Sequence, residues 1–304
     1  MEFALTALRQ TAVMFLLMGI GWALYRGGKV SRDGSKDLAN LLLYVILPCA
    51  ILHAFCTEYT AEKSRRLFYA FWLSLAALLL AVLVSRLIFR RRPIDHFGAA
   101  FSNAGFMGLP MIQAVLGSEA VIYSAPFIAL LNFFQWTYGV SVLTGQKGGL
   151  TPRKIVTNPI LLSLIAGLAC FYLRLSLPAV LSAAVSSVAA MNSPVAMIIL
   201  GVYLAQTDLR SLFTAPRLYG NAAVRLLLIP GLTLALFSLL PASLWEARLA
   251  LLIAASAPVG ANVAVYAQLN HLDYAYASKS VCLSTLFSIG TLPLVIALAG
   301  LLWQ

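Results

Sequence analysis

Apolar positions run along this chain almost without interruption. Stretches such as "LFYAFWLSLAALLLAVLV" (67–84) and "IGTLPLVIALAGLLW" (289–303) contain no charged residue. About 20 apolar residues carry a helix across a hydrocarbon layer. Polar and charged residues gather in short connectors that separate ten such segments, at about 5–25, 37–56, 67–89, 97–118, 119–143, 155–174, 180–206, 219–241, 246–269 and 278–303. The pattern predicts an all-α integral membrane protein of ten transmembrane helices, with no soluble domain, linker or low-complexity tract.

Composition agrees: 61% of the residues are hydrophobic and 10% charged, where a soluble domain has about 45–50% and about 25%. A net charge of +11 would suggest nucleic acid in a soluble chain. Here no basic-aromatic motif occurs, and the basic residues fall in connectors and span ends. They read as topology signals and contacts to anionic lipid, with no nucleic-acid partner. Ten spans put both termini on one side. That side takes six basic residues and the other fifteen, Arg225 among the latter as a span end. The positive-inside rule then places both termini outside a cytoplasmic membrane. The N-terminal stretch lacks a basic leader and a cleavage site, so it reads as the first span. Cys49, Cys56, Cys170 and Cys282 lie in apolar segments without metal spacing and read as small buried hydrophobes, with no disulfide and no metal site.

Against this background "NAGFMGLPM" (103–111) stands out, with an asparagine, two glycines and a proline inside an apolar run. Span nine holds a counterpart, "IAASAPVGANVAVYA" (253–267). Pro110 and Pro258 are 148 residues apart; Pro48 of "LLLYVILPCAIL" and Pro194 of "MNSPVAMIILGVYLA" are 146 apart. Two landmarks with nearly one offset suggest a repeat. Five spans per half make it inverted, with halves at 1–145 and 155–304. Proline removes a helical hydrogen bond and crowds the preceding turn. Spans four and nine are therefore predicted to break at Gly108 and Pro110 and at Pro258 and Gly260. Crossed at the midplane, the breaks would aim two helix N-termini at one point. Asn103 and Asn262 would add amide donors, and Gly105 and Gly108 would allow close approach. Such an anion site needs no buried Lys or Arg.

The same motifs, with "STLFSIGTLPLVIAL" (284–298), "LPCAIL" in span two and "NPILLSLIAGL" (158–168), resemble the auxin efflux carrier family in its bacterial branch, within a bile acid/sodium symporter-like superfamily. The likeness extends over nearly the whole chain. It implies a ten-helix fold with a scaffold of spans one, two, six and seven and a transport domain of spans three to five and eight to ten. It also implies a homodimer, elevator-like alternating access and an organic-anion substrate. Asn103 matches the family's asparagine before Gly-x-Pro, and Pro258 its crossover proline. Asn262 stands where the plant members have a second proline. The junction "TGQKGGLTPRK" (144–154) is short where theirs is long, which points away from auxin itself.

Other intramembrane polar groups have two readings each. Asn132 and Gln135, one turn apart in span five, face the site or bond neighbouring helices. Ser280, Ser284 and Ser288 form a stripe in span ten, read as close packing first and as cation or substrate contact second. His53 near the outer end of span two is a satisfied histidine, with titration or gating as the alternative. Asn192, Ser193 and Pro194 shape the scaffold, and Asn158 beside Pro159 caps span six. His271, Asp273 and Lys279 form a solvated loop or a gate-like ion pair. The acids, Asp95 included, fall near span ends, which argues against a carboxylate proton relay. Coupling to Na+ or H+ stays open, and no cofactor is implied. No HEXXH motif, zinc-spaced histidine or paired aspartate supports a membrane enzyme. No charged ring or continuous polar stripe supports a channel. A permease for a small organic anion remains, with a sodium symporter of the bile-acid-transporter type as the alternative.

Overall fold

A computed structural model describes residues 2–145, 158–208 and 212–303. The junction 146–157, with Lys147, Arg153, Lys154 and the expected start of span six, lies outside the described residues, as does Arg210. Apart from one isolated backbone bridge, the regular structure among the described residues is helical. The main helices are α1 (Glu2–Arg26), α2 (Arg32–Phe55), α3 (Ala61–Phe89), α4 (Pro93–Ala100), α5 (Ala104–Leu116) and α6 (Ser118–Thr144) in the first half. The second half holds α7 (Pro159–Tyr172), α8 (Ala179–Ala205), α9 (Pro216–Ser238), α10 (Trp245–Ser256), α11 (Asn262–Leu269) and α12 (Tyr274–Trp303). Seven of these, α1, α2, α3, α6, α8, α9 and α12, are long and apolar enough to cross a membrane. Leu16, Leu87, Val180, Leu239 and Leu301 are each more than 70% exposed. An exterior of this kind is matched by lipid and not by water. The chain is an integral membrane protein.

Local chemistry sets the helix starts. Ser31, Thr60 and Asn158 accept from the N–H groups of Gly34, Lys63 and Ile160 at 2.9, 3.1 and 2.9 Å, each satisfying an otherwise orphaned donor. The cap at Asn158 is as the sequence suggests. The Thr60 cap carries α3 six residues beyond its apolar run, through a charged first turn.

Prolines bend these helices more than they break them. Four five-residue π turns occur among the described residues, at Leu42–Ile46, Ala104–Gly108, Gln135–Gly139 and Val224–Leu228. Three of them are followed two positions later by Pro48, Pro110 or Pro230. A proline has no N–H for the carbonyl one turn back, and widening that turn absorbs the clash. This corrects the expected break in span four. Gly108 and Pro110 lie inside continuous helix, whereas the chain leaves helical geometry at Phe101–Asn103. In the ninth span the interruption does contain Pro258 and Gly260. Pro110 and Pro258 are therefore not equivalent positions, although the two interrupted helices are the expected ones.

Glycines set the tightest crossings. A Cβ on Gly21 would lie 2.0 Å from the Ile198 carbonyl oxygen, and one on Gly201 1.9 Å from that of Met18. The backbones of α1 and α8 thus touch, as small residues permit. Likewise, α7 crosses the end of α2, where a Cβ on Gly167 would meet the Phe55 side chain at 2.8 Å. At the centre lies α10, buried at every residue from Leu249 to Ser256.

Candidate functional site

The two interruptions meet. Phe101–Asn103 and Pro258–Gly260 pair as a short antiparallel bridge, with Ser102 opposite Val259. Asn103 N–H donates to the Pro258 carbonyl at 2.8 Å, and Gly260 N–H to the Phe101 carbonyl at 3.0 Å. Val259 N–H donates to Ser284 Oγ at 3.1 Å. Unwound backbone in an apolar interior leaves polar groups that water cannot reach; here each break satisfies the other. Gly260 suits this approach, since a Cβ there would crowd the Ser102 carbonyl oxygen at 3.1 Å and force the bridge to give by a few tenths of an ångström.

Beside the bridge is a small cavity of about 30 Å³. Of the residues expected at a binding site, Asn103, Gly105, Asn132, Gln135, Gly260 and Asn262 line it. Gly108, Pro110 and Pro258 do not. A Cβ on Gly108 would sit 3.3 Å from Ala254 Cα, so this glycine seats α5 on α10, and Pro258 is bound into the bridge. Asn262 Nδ2 donates to Gln135 Oε1 at 2.8 Å, and Asn132 Nδ2 to the Ile128 carbonyl of its own helix at 2.8 Å. Asn103 is 5% exposed, and its Nδ2 has no partner among the described residues. Buried donors are almost always paired, so this one marks a place for an acceptor that the described residues do not supply. Leu43 and Leu47 of α2 form the facing wall. Leu43, Asn132, Ala261 and Asn262 are shared with a second cavity of about 770 Å³, which Arg32, Lys36, Tyr44, Trp136 and Tyr203 also line.

The reading of Arg225 as a span-end charge is corrected: it is buried beside the crossover. Arg225, in α9, is 1% exposed. Its Nε donates to the Ala257 carbonyl at 3.1 Å, and its Nη1 to those of Ala99 and Ala100 at 2.9 and 3.5 Å. These carbonyls end α4 and α10, where helices carry partial negative charge. The sequence signal was present: Arg225 has apolar neighbours on both sides and no acid within two helical turns, a poor position for a side chain that must reach water.

Asp95 stands near a span end as expected, yet is 4% exposed. It accepts from Tyr276 Oη at 2.6 Å. Its carbonyl accepts from Asn221 Nδ2 at 2.7 Å, and Asn221 Oδ1 accepts from Ser280 Oγ at 3.2 Å. The serine stripe is thereby divided: Ser280 joins this network, Ser284 holds the bridge, and Ser288 bonds the Thr285 carbonyl. Neither Ser280, Ser284 nor His53 lines either cavity. Asp273 caps the Tyr276 N–H at 2.9 Å and forms no ion pair with Lys279 among the described residues. Asn192 Nδ2 lies 3.5 Å from the Gly105 carbonyl, tying α8 to the widened turn of α5.

Residues 6–296 match the family model described as membrane transport protein. Over 272 residues the chain is 26% identical to a protein of Rhizobium meliloti (strain 1021) described as "Putative malonate transporter", covering 84% of this chain and 83% of that one. The match spans both interrupted helices and the cavity between them, and the chain therefore belongs to the membrane transport protein family, that of the auxin efflux carriers, and is a transporter and not an enzyme.

Proposed function

We propose that the chain is a secondary carrier of a small carboxylate across the cytoplasmic membrane, with its substrate held at the crossing of the two interrupted helices. The unpartnered amide of Asn103 carries this reading. It lies beside a small cavity where the N-terminal ends of α5 and α11 converge. Helix N-termini and amide N–H groups suit an acceptor-only anion. The relative described as a malonate transporter fits a carboxylate.

In this reading α4 with α5, and α10 with α11, each make one crossing, giving ten spans in two inverted five-span repeats. Two pairings support the repeat. The crossing of α1 with α8 answers that of α7 with α2, and the bridge joins the breaks reciprocally. The scaffold is α1, α2, α7 and α8; the remaining helices form a transport domain that slides against it. The small cavity lies between Leu43 and Leu47 of α2 and the crossover, where such sliding would move it. At about 30 Å³ it holds one or two waters. A carboxylate would therefore enter through the larger cavity, with α2 moving back. Arg32 and Lys36 sit at that entrance. The far end is tied by Lys63–Glu119 at 2.8 Å and Arg66–Glu246 at 2.6 Å. This corresponds to a cytoplasm-facing state with both termini outside, in a protein that works as a homodimer.

Thermal-shift and binding measurements on purified protein with a panel of small carboxylates test the site. Asn103→Ala is expected to lose one charge-assisted hydrogen bond, about 1.5–3 kcal/mol, hence roughly ten- to hundredfold in affinity. Asn262→Ala, which also frees Gln135, should lose a comparable factor. Both variants should unfold near the wild-type temperature. Wild-type binding and uptake in both would refute the site.

A further inference from the structure

We infer that Arg225 is a built-in cation, occupying the place where a coupling ion would sit, so that anion binding at the crossover needs no Na+. This rests on reading the crossover as an anion site.

Carriers built around interrupted helices hold their coupling cations with unwound carbonyls and with the C-terminal ends of half-helices. In this protein the corresponding oxygens are those of Ala99, Ala100 and Ala257. All three are taken by N–H groups of one guanidinium reaching in from a third helix. A covalently attached charge thus lies on the ligands that a free ion would need.

Charge bookkeeping at the crossover points the same way. Two helices end there and two begin, and their partial charges of about half a unit cancel in pairs. The guanidinium remains as a net unit of positive charge. Among the described residues no carboxylate pairs with it, the four ion pairs lying elsewhere. Asp95, at the start of α4, is engaged by Tyr276. A buried charge without a counter-ion is strongly unfavourable. A bound carboxylate supplies that counter-ion, and Arg225 Nη2, which has no partner among the described residues, leaves the guanidinium with unspent donor capacity. One carboxylate group then neutralises the guanidinium with no second ion.

The experiment measures the affinity of the purified full-length protein for malonate, by calorimetry or thermal shift, in NaCl and in N-methylglucamine chloride. Wild type is expected to bind within twofold in the two salts. Arg225→Lys, which keeps the charge, should bind within about tenfold of wild type, whereas Arg225→Gln should weaken binding more than tenfold. Wild-type affinity that falls more than tenfold without Na+ overturns the inference while leaving the carboxylate site intact. So does Arg225→Gln binding within twofold of wild type. If Arg225→Gln does not fold, the wild-type comparison of salts still decides. Absence of wild-type binding to malonate and to every carboxylate in the panel, in either salt, would overturn the site reading and Arg225's role with it.

Discussion

Gly201→Leu is expected to prevent the α1–α8 crossing from forming. A Cβ at this position would fall 1.9 Å from the Met18 carbonyl oxygen and 2.7 Å from its carbon. These are backbone atoms, so no rotamer change relieves the clash and the helices must separate. Separation also undoes the reciprocal contact of Gly21 with Ile198. Overpacking a core with a few extra methylenes costs about 1–3 kcal/mol. Loss of a helix crossing whose attraction depends on close backbone packing should exceed that upper value. Gly19→Leu is the control, because Gly19 is on the partner helix α1, two residues from Gly21, and a Cβ there meets nothing within 4 Å. It should leave the protein unchanged or slightly more stable, by up to about 1 kcal/mol, as a helical glycine is removed. Thermal unfolding and size-exclusion profiles of the two variants check this. Equal unfolding temperatures would show that α1 and α8 do not depend on this contact.

Gln135→Glu should weaken carboxylate binding by roughly a thousandfold at neutral pH while preserving the fold. The substitution keeps an oxygen to accept from Asn262 Nδ2, now 2.8 Å from Gln135 Oε1, and changes the volume little. It adds a negative charge beside the proposed anion site. Two like charges about 4 Å apart repel by about 4 kcal/mol at an effective dielectric of 20, so affinity should fall by roughly a thousandfold. Burial raises the pKa of a carboxyl group. Protonation of the introduced glutamate on acidification should therefore restore binding, in contrast to Gln135→Ala, which has no group to titrate. Undiminished binding by Gln135→Glu at neutral pH would place the anion elsewhere.

The membrane character of the chain was legible because hydrophobicity is a local property, additive over about 20 residues. The identity of the interrupted helices was legible for a similar reason: Asn103 and Asn262 have no place in an apolar run unless something needs them. Where the first break falls was not. Pro110 is conspicuous, but a proline needs only one widened turn. The chain opens instead at Phe101–Asn103, where it finds Pro258–Gly260 to bond with. That choice depends on a partner more than 150 residues away, which no local pattern encodes. Arg225 was misread for a related reason. In a count of basic residues an arginine near a span end looks like a topology signal. Only three carbonyls from two other helices give it a reason to be buried. The acids near span ends hid Asp95 in the same way, since its burial is produced by α9 and α12 packing on α4.

The bridge between the two breaks also bears on how the protein is made. As the first half enters the bilayer, the N–H of Asn103 and the carbonyl of Phe101 have no partner until Pro258 and Gly260 have been synthesised. An unsatisfied backbone group in hydrocarbon is costly, so a chain still emerging from the ribosome has reason to keep this region closed as ordinary helix or close to water. The open geometry at Phe101–Asn103 then appears late, when the second half docks. Formation of the proposed binding site and the final assembly of the two halves then become one event, and a molecule caught halfway lacks the bridge that shapes that site.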